Sequence, residues 1–410
     1  MTRRCATAAW ARAARWWCPR RTGRRCARCR AAGRWGCTHL KGPDARPRGG
    51  GDALPGPAAA LAAALTAFYR AHRRDLPWRR TADPYAIWVS EVMLQQTQVA
   101  TVLRYFPAFL ARFPTVGALA GAAEQDVLSV WSGLGYYRRA RLMHRAARQV
   151  RDVHGGRFPR AAEDLRALPG VGEYTAGALR SIAFGQPAAA VDGNVTRVLA
   201  RLCGLPGAAG ERALHRAVTA AAQALVEAAA PAQVTQGLME LGATVCTPAA
   251  PRCGACPWAE SCRARSKGVQ AAVPAPKVRP ARREVHAALA LVLDQGRLAL
   301  VRRGGEGLFA GLWQMPGTGE LPPPRTAARA EASLRRALQR EVPGLHAGRL
   351  LSRTQRVLTH RQLHLWVFEG RFGRKPAHVR LVPADDLGAA PLSAAMRAAL
   401  RDALHARGAA

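Results

Sequence analysis

Two glycines one residue apart, Gly170 and Gly172 in LPGVGEYTAGAL (168–179), stand between stretches of helical periodicity and leave few folds open to this chain. A Gly-x-Gly hairpin lets the backbone come close to whatever lies outside it, and can turn its N–H groups outward beside a helix N-terminus. Such a nest suits a phosphate oxygen. A lone Pro-Gly would be an ordinary helix–helix turn, but the full helix-hairpin-helix spacing around Gly170, Val171 and Gly172 favours contact with a DNA backbone. The rest of residues 55–265 is helical in pattern with short breaks, which predicts an all-α domain.

Charge points the same way. The chain carries 62 basic and 26 acidic residues, a net charge of +36, so a polyanionic partner is expected, nucleic acid first and an acidic membrane surface second. No run reaches the roughly 20 apolar residues of a membrane span, which predicts a soluble chain with no membrane partner. The ten cysteines are clustered, which suggests a reducing compartment and metal ligation rather than a disulfide framework. A cytoplasmic, nucleoid-associated monomer is the expectation for location and state.

Composition also divides the chain. Residues 1–54 contain no acid before Asp44 and read as a disordered basic extension. Within it Cys18, Cys26, Cys29, Cys37 and His39 could bind zinc, and the Arg-rich start is compatible with an organelle transit peptide; neither role is assigned. Residues 266–282 have the composition of a linker. A smaller α/β domain is expected over 283–404, with two strands around an Asp-Gln-Gly turn in EVHAALALVLDQGRLALVRR, a helix in RAEASLRRALQREV and a strand in HLWVFEGRF.

Two carboxyl groups and four thiols carry the chemistry. Written as one helix, WVSEVMLQQTQVA (88–100) puts Val89, Val92, Met93, Val99 and Ala100 on one stripe and Trp88, Glu91, Gln95 and Gln98 beside it, so Glu91 falls at the edge of a core. A carboxyl there finds partners or takes up a proton. The plain alternative is a solvated face near a helix start, with Asp83-Pro84 as the N-cap and first-turn pair. Asp192, in AVDGNVTRVLAR, reads by itself as an N-cap. Together the two could form an acid that protonates a leaving group and an anion that steadies a cationic sugar. Cys246, Cys253, Cys256 and Cys262, spaced C-x6-C-x2-C-x5-C, would hold a metal, either zinc or an iron-sulfur cluster, with Arg252, Arg263 and Arg265 offering charge to phosphates nearby.

WVSEVMLQQTQV, GLGYYRRAR, LPGVGEYTAGA, AVDGNVTRVLAR, MELGATVC and the cysteine spacing, taken in order, resemble the adenine-specific DNA glycosylase family, the MutY type, within the endonuclease III helix-hairpin-helix superfamily. The likeness runs over roughly residues 55–400. It implies a helix-hairpin-helix glycosylase domain, a [4Fe-4S] cluster on the four cysteines, a C-terminal Nudix-like domain, and duplex DNA holding A:8-oxoguanine or A:G mispairs as partner. It assigns Glu91 as the general acid on the extruded adenine and Asp192 as the carboxylate facing the sugar, supported by Tyr174 and Asn194. Gln96 and Tyr136 match residues inserted into the base stack, Trp78, Arg79 and Gln236 the adenine pocket, and Thr97 the place where 8-oxoguanine is held.

The resemblance also sets limits. Strand-cutting relatives use an amine where this chain has Tyr174, and no lysine occurs between Lys41 and Lys267, which predicts a monofunctional enzyme. RAEASLRRALQREVPGL lacks the glutamates of a pyrophosphate-cleaving Nudix helix. Leu358, Thr359 and His360 occupy the place of the family's Phe-Ser-His loop, keeping the hydroxyl and losing the aromatic ring. Other readings are a non-catalytic iron-sulfur DNA-binding protein, a pyrimidine-lesion glycosylase, and a Nudix hydrolase of oxidised nucleotides.

Overall fold

The computed structural model describes residues 54–277, 281–304, 307–324, 327–358, 360–387 and 390–408, which fall within one compact unit. The Cys18–His39 pattern and Thr359 lie outside the described residues.

The first part of the chain is helical: α1 (Ala58–His72), α2 (Pro84–Leu94), α3 (Val99–Arg112), α4 (Val116–Gly121), α5 (Glu124–Val130), α6 (Arg138–His154), α7 (Ala162–Ala167), α8 (Glu173–Ala178), α9 (Gly193–Cys203), α10 (Arg212–Ala228), α11 (Pro231–Thr244) and α12 (Arg263–Ser266). These helices enclose two cores. One gathers Trp88, Phe109, Phe113, Trp131 and Met143 from α2 to α6 and their connections, and the other packs Leu65, Val198, Leu225, Leu241 and Trp258 from α1, α9, α10, α11 and the cysteine loop. Elements of both cores, α2 from the first and α9 and α11 from the second, wall one cavity. Leu54 is buried in the second core, one residue ahead of the start that composition suggests.

Residues 88–100 are not one helix. Asp83 caps α2 by accepting from Tyr85 N and Ala86 N, with Pro84 in the first turn, as expected. The helix then stops at Leu94, Gln96 turns at φ 57°, and α3 starts afresh at Val99. Every α2 residue from Tyr85 to Met93 is buried, and of these Ile87, Ser90 and Glu91 line the cavity. Glu91 is 5% exposed and lines the cavity that borders this core.

The expected linker is partly a strap. Ala275 N donates to Gly207 O at 3.0 Å, Ala209 N returns a bond to Ala275 O at 3.0 Å, and Val273 packs on the second core. Backbone pairing of this kind does not depend on side-chain type, so composition could not show it.

The C-terminal domain has strands β1 (Arg283–Asp294), β2 (Arg297–Arg302), β3 (Trp313–Gln314), β4 (Leu345–Val357), β5 (Arg361–Phe372) and β6 (Arg380–Pro383), with helices α13 (Ala327–Glu341) and α14 (Ala394–Gly408). The sheet order is β3-β2-β1-β5-β4, with β6 beside β2, and β1 runs parallel to β5 from Arg283↔Arg361 to Val292↔Gly370. The β1–β2 turn uses Gln295 and Gly296 at φ 46° and 73°, the left-handed pair of a tight hairpin. α14 covers one face of the sheet and α13 the other. That double cover explains why β1 is buried over eight consecutive residues instead of alternating.

The domain rests directly on the helical part. Leu312 joins the first helical core, and Arg141 donates to the Ala310 carbonyl. Among the described residues, no helix is long and apolar enough to cross a membrane.

Candidate active site

A cavity of about 680 Å³ opens where α2, the 170–172 hairpin, α9 and α11 meet, and it gathers most of the residues singled out from the sequence. Glu91, Asp192, Tyr174 and Asn194 line it, as do Trp78, Arg79, Gln236, Gln96, Thr97, Gly170 and Gly172. Val171, between the two glycines, points into the first core. Gly170 takes φ 81°, and a β-carbon there would stand 2.9 Å from Leu142 Cβ, so the hairpin can lie against α6 only with glycine at this position.

Glu91 is held by one strong hydrogen bond. Tyr174 OH donates to Glu91 Oε2 at 2.6 Å. Burial lifts the carboxyl from its ordinary 4.5 to about 7; the Tyr174 bond opposes that rise, the charge of Asp192 adds to it, and Arg79 counters it. Burial together with the neighbouring Glu91 and Asp192 pushes the Tyr174 phenol well upward, so it stays a donor.

Asp192 keeps the cap role that its sequence position suggests and lines the cavity as well. Its Oδ1 accepts from Val195 N at 2.7 Å and its Oδ2 from Asn194 Nδ2 at 2.9 Å. Asn194 is fixed in turn by Arg197 Nη2 at 2.8 Å. Arg197 also reaches the Gly242 and Cys246 carbonyls. The chain of bonds therefore runs from Asp192 to the cysteine loop.

Behind the wall formed by Arg74 and Arg79 lies a buried charge that sequence reading missed. Glu240, wholly buried on α11, accepts from Arg74 Nε at 2.8 Å and Arg79 Nη2 at 2.7 Å. Burial alone would raise this carboxyl, but the bonds from Arg74 and Arg79 outweigh it and hold it at about 2. An acid inside an apolar helix flagged Glu91, and the same signal in MELGATVC would have flagged Glu240. Gln236 is oriented by Tyr69 OH, which donates to its Oε1 at 2.9 Å, and Trp78 packs edge-on against Phe106.

Arg139 is the other omission, concealed by the abundance of arginine. It caps α2 and the following turn by donating to the carbonyls of Val92, Met93 and Gln95, and Nη2 reaches Thr97 Oγ1 at 3.0 Å. Its guanidinium also lies 5.4 Å from the Tyr136 ring centroid. Tyr136 is outside the cavity, 45% exposed, at φ 49°. Gln96 and Tyr136, the two residues matched to base-stack insertion, are thus both non-glycine residues in the left-handed region, and Arg139 bonds the Gln95 carbonyl beside the first and lies over the ring of the second.

Cys246, Cys253, Cys256 and Cys262 line a separate small cavity of about 30 Å³, walled by Val198, Leu241, Val245 and Trp258. Arg201 Nη1 approaches Cys246 Sγ at 3.4 Å while bonding the Thr247 and Pro248 carbonyls. Burial raises the thiols of Cys246 and Cys256, the latter to about 11.

In the C-terminal domain, His360 is exposed at the β4–β5 turn and its carbonyl accepts from Arg283 N at 3.1 Å. Leu358 packs on the C-terminal core, so its side chain supports the turn from below. On α13 Glu331 pairs with Arg335, and Glu341 accepts from Gly319 N. Glu284, His286 and His364 cluster on β1 and β5, where His286 stacks on His364 and accepts from Trp366 Nε1 at 3.2 Å.

Residues 89–224 match the HhH-GPD superfamily base excision DNA repair protein family, and residues 287–402 match the NUDIX domain family. The human protein named adenine DNA glycosylase is 48% identical over 217 residues, covering 51% of this chain and 40% of that protein. Its rat namesake is 40% identical over 313 residues, covering 74% and 59%, and the Arabidopsis thaliana one 37% over 292 residues, covering 62% and 46%. The chain thus spans about half the length of the curated relatives it matches. The two family matches divide the molecule as its fold does, helices first and mixed sheet second: the chain carries a region matching the HhH-GPD superfamily base excision DNA repair proteins over residues 89–224 and one matching the NUDIX domain over residues 287–402, and is similar to proteins named adenine DNA glycosylase.

Proposed function

We propose that this protein is an adenine DNA glycosylase, hydrolysing the bond between adenine and deoxyribose where adenine is mispaired with 8-oxoguanine or guanine in duplex DNA. The observation that carries this reading is a buried carboxyl with a pKa of about 7 lining the same cavity as a second carboxyl held by two donors. The names of the relatives supply the base.

The reaction follows from that pair. Adenine rotated into the cavity meets Glu91, which is protonated in part of the molecules near neutral pH and gives its proton to the leaving base. The C1′–N9 electron pair leaves with the adenine. Asp192, oriented by Val195 N and Asn194, faces the positive charge left on the sugar. Water then adds to C1′, and its proton restores Glu91. Tyr174 stands where an amine would be needed to cut the strand, and its hydroxyl is committed to Glu91. The product is an intact strand with an abasic site.

The four cysteines fit a [4Fe-4S] cluster. They converge on one cavity with apolar walls and an arginine beside one sulfur. Held by Cys246, Cys253, Cys256 and Cys262, the cluster would pin a loop whose Arg252 donates to the Thr244 carbonyl, Arg263 to the Cys203 and Leu54 carbonyls, and Arg265 to Glu260. The β4–β5 turn with His360 would read the opposite base.

The deciding experiment is single-turnover excision on A:8-oxoguanine, A:G and A:T duplexes, with alkali added afterwards to reveal abasic sites. Excision from the first two, strand breaks only after alkali, and no borohydride-trapped complex are expected. Cleavage without alkali, or no loss of adenine from any mispair, would refute the assignment.

A further inference from the structure

The loop that presents Tyr136 is fastened to the C-terminal domain. Tyr137, only 6% exposed, accepts from Gly133 N at 3.1 Å and donates from the same hydroxyl to the Leu392 carbonyl at 3.1 Å. Ser132 Oγ donates to that same carbonyl at 3.1 Å and accepts from Arg397 Nη2, on α14, at 2.8 Å. Leu392 is fully buried in the C-terminal core, so its carbonyl is a fixed point. Inside the helical domain the loop leans on Trp131 Nε1, which donates to Gly135 O at 3.0 Å. Gly133 at φ 99° has no room for a side chain beside the Tyr105 hydroxyl.

We propose that the C-terminal domain sets the posture of the Tyr136 loop through Tyr137 and Ser132, so that the domain is a positioning element for the helical domain's duplex probe. A residue in the left-handed region keeps that conformation only while its surroundings over-determine it. Here the loop's own helix supplies part of that constraint and a separate domain the remainder. The consequence for base extrusion rests on the proposed function and on the resemblance that matches Tyr136 to a residue inserted into the base stack; the mechanical coupling does not.

The test uses the full chain with Tyr137→Phe, which removes one hydroxyl from a packed ring, and Arg397→Gln, which alters only the C-terminal side. Hydrogen–deuterium exchange of the free protein should show amides of 131–137 exchanging at least several-fold faster in both variants, with α2 and α9 unchanged. Unaltered exchange of that loop in both variants would overturn the coupling. With 2-aminopurine in place of the target adenine, both variants should show a several-fold slower fluorescence rise on mispaired duplexes, while the midpoint of the pH–rate profile stays where Glu91 puts it. Faster loop exchange with unaltered extrusion would overturn the positioning role. If the wild-type chain excises nothing, the functional reading fails, and the exchange result still decides the coupling.

Discussion

Glu91 shows how far one residue can be read before and after folding. Its place in an apolar stretch marked it as costly to bury, but only the packed fold leaves it 5% exposed on the lining of a cavity. A lift from 4.5 to about 7 corresponds to roughly 3 kcal/mol of penalty on the charged form. The folded chain keeps this proton between pH 4.5 and 7 while the unfolded chain has lost it, so this contribution to stability is complete at low pH and declines as pH rises through 7. Glu91→Gln should therefore abolish excision and still be more stable than the parent at pH 8, by about 1–3 kcal/mol, with the difference vanishing near pH 4 in denaturant titrations. Equal stability of the two at both pH values would contradict the burial account. Glu240 has the opposite sign: held at about 2, it contributes stability above pH 4.5 that is lost as pH falls towards 2. Glu240→Ala would leave the largely buried Arg79 without its partner, and a loss of about 3 kcal/mol at pH 7 with weakened substrate binding is expected from urea melts and excision kinetics.

At the scale of the element, Asp192 caps α9 with the same carboxylate that the proposed function sets facing the sugar. Asn at 192 still offers an acceptor to Val195 N and removes the charge, whereas Ala removes both. Asp192→Asn should keep the melting free energy within about 0.5 kcal/mol of the parent, and Asp192→Ala should lose about 1 kcal/mol, while excision falls by orders of magnitude in both. A residual activity in the Asn variant close to that of the parent would show the charge to be dispensable. The same scale explains the misread segment at 88–100. Its apolar spacing suits one helix, yet Arg139, 39 residues beyond Ala100, collects the carbonyls at the end of α2 and holds the turn open for Gln96. β4 was not legible for a related reason: it lies at the sheet edge, is mostly exposed and carries three arginines, so no apolar alternation marks it.

For the whole molecule, charge and architecture set the behaviour towards DNA. The surplus of arginine should give binding to any duplex a steep salt dependence, with log affinity falling against log salt at a slope of about −4 or steeper. A shallow slope in fluorescence anisotropy titrations would mean that the basic residues do not meet phosphates. The order of the domains, the hairpin and the four thiols were readable from local spacing, with glycine where the backbone must turn and cysteines within one loop, whereas local spacing by itself offered a solvated face for Glu91 and a helix cap for Asp192, and it took the family resemblance to pair them. What the tertiary structure decided is everything that joins distant segments. Glu91 and Asp192 share a cavity because two helical cores meet there, Glu240 neutralises Arg79 across 161 positions of chain, and Leu392 reaches Tyr137 across 255. Periodicity reports what one segment does with its own neighbours, whereas these contacts are fixed by how helices and sheet pack, a property no single segment carries.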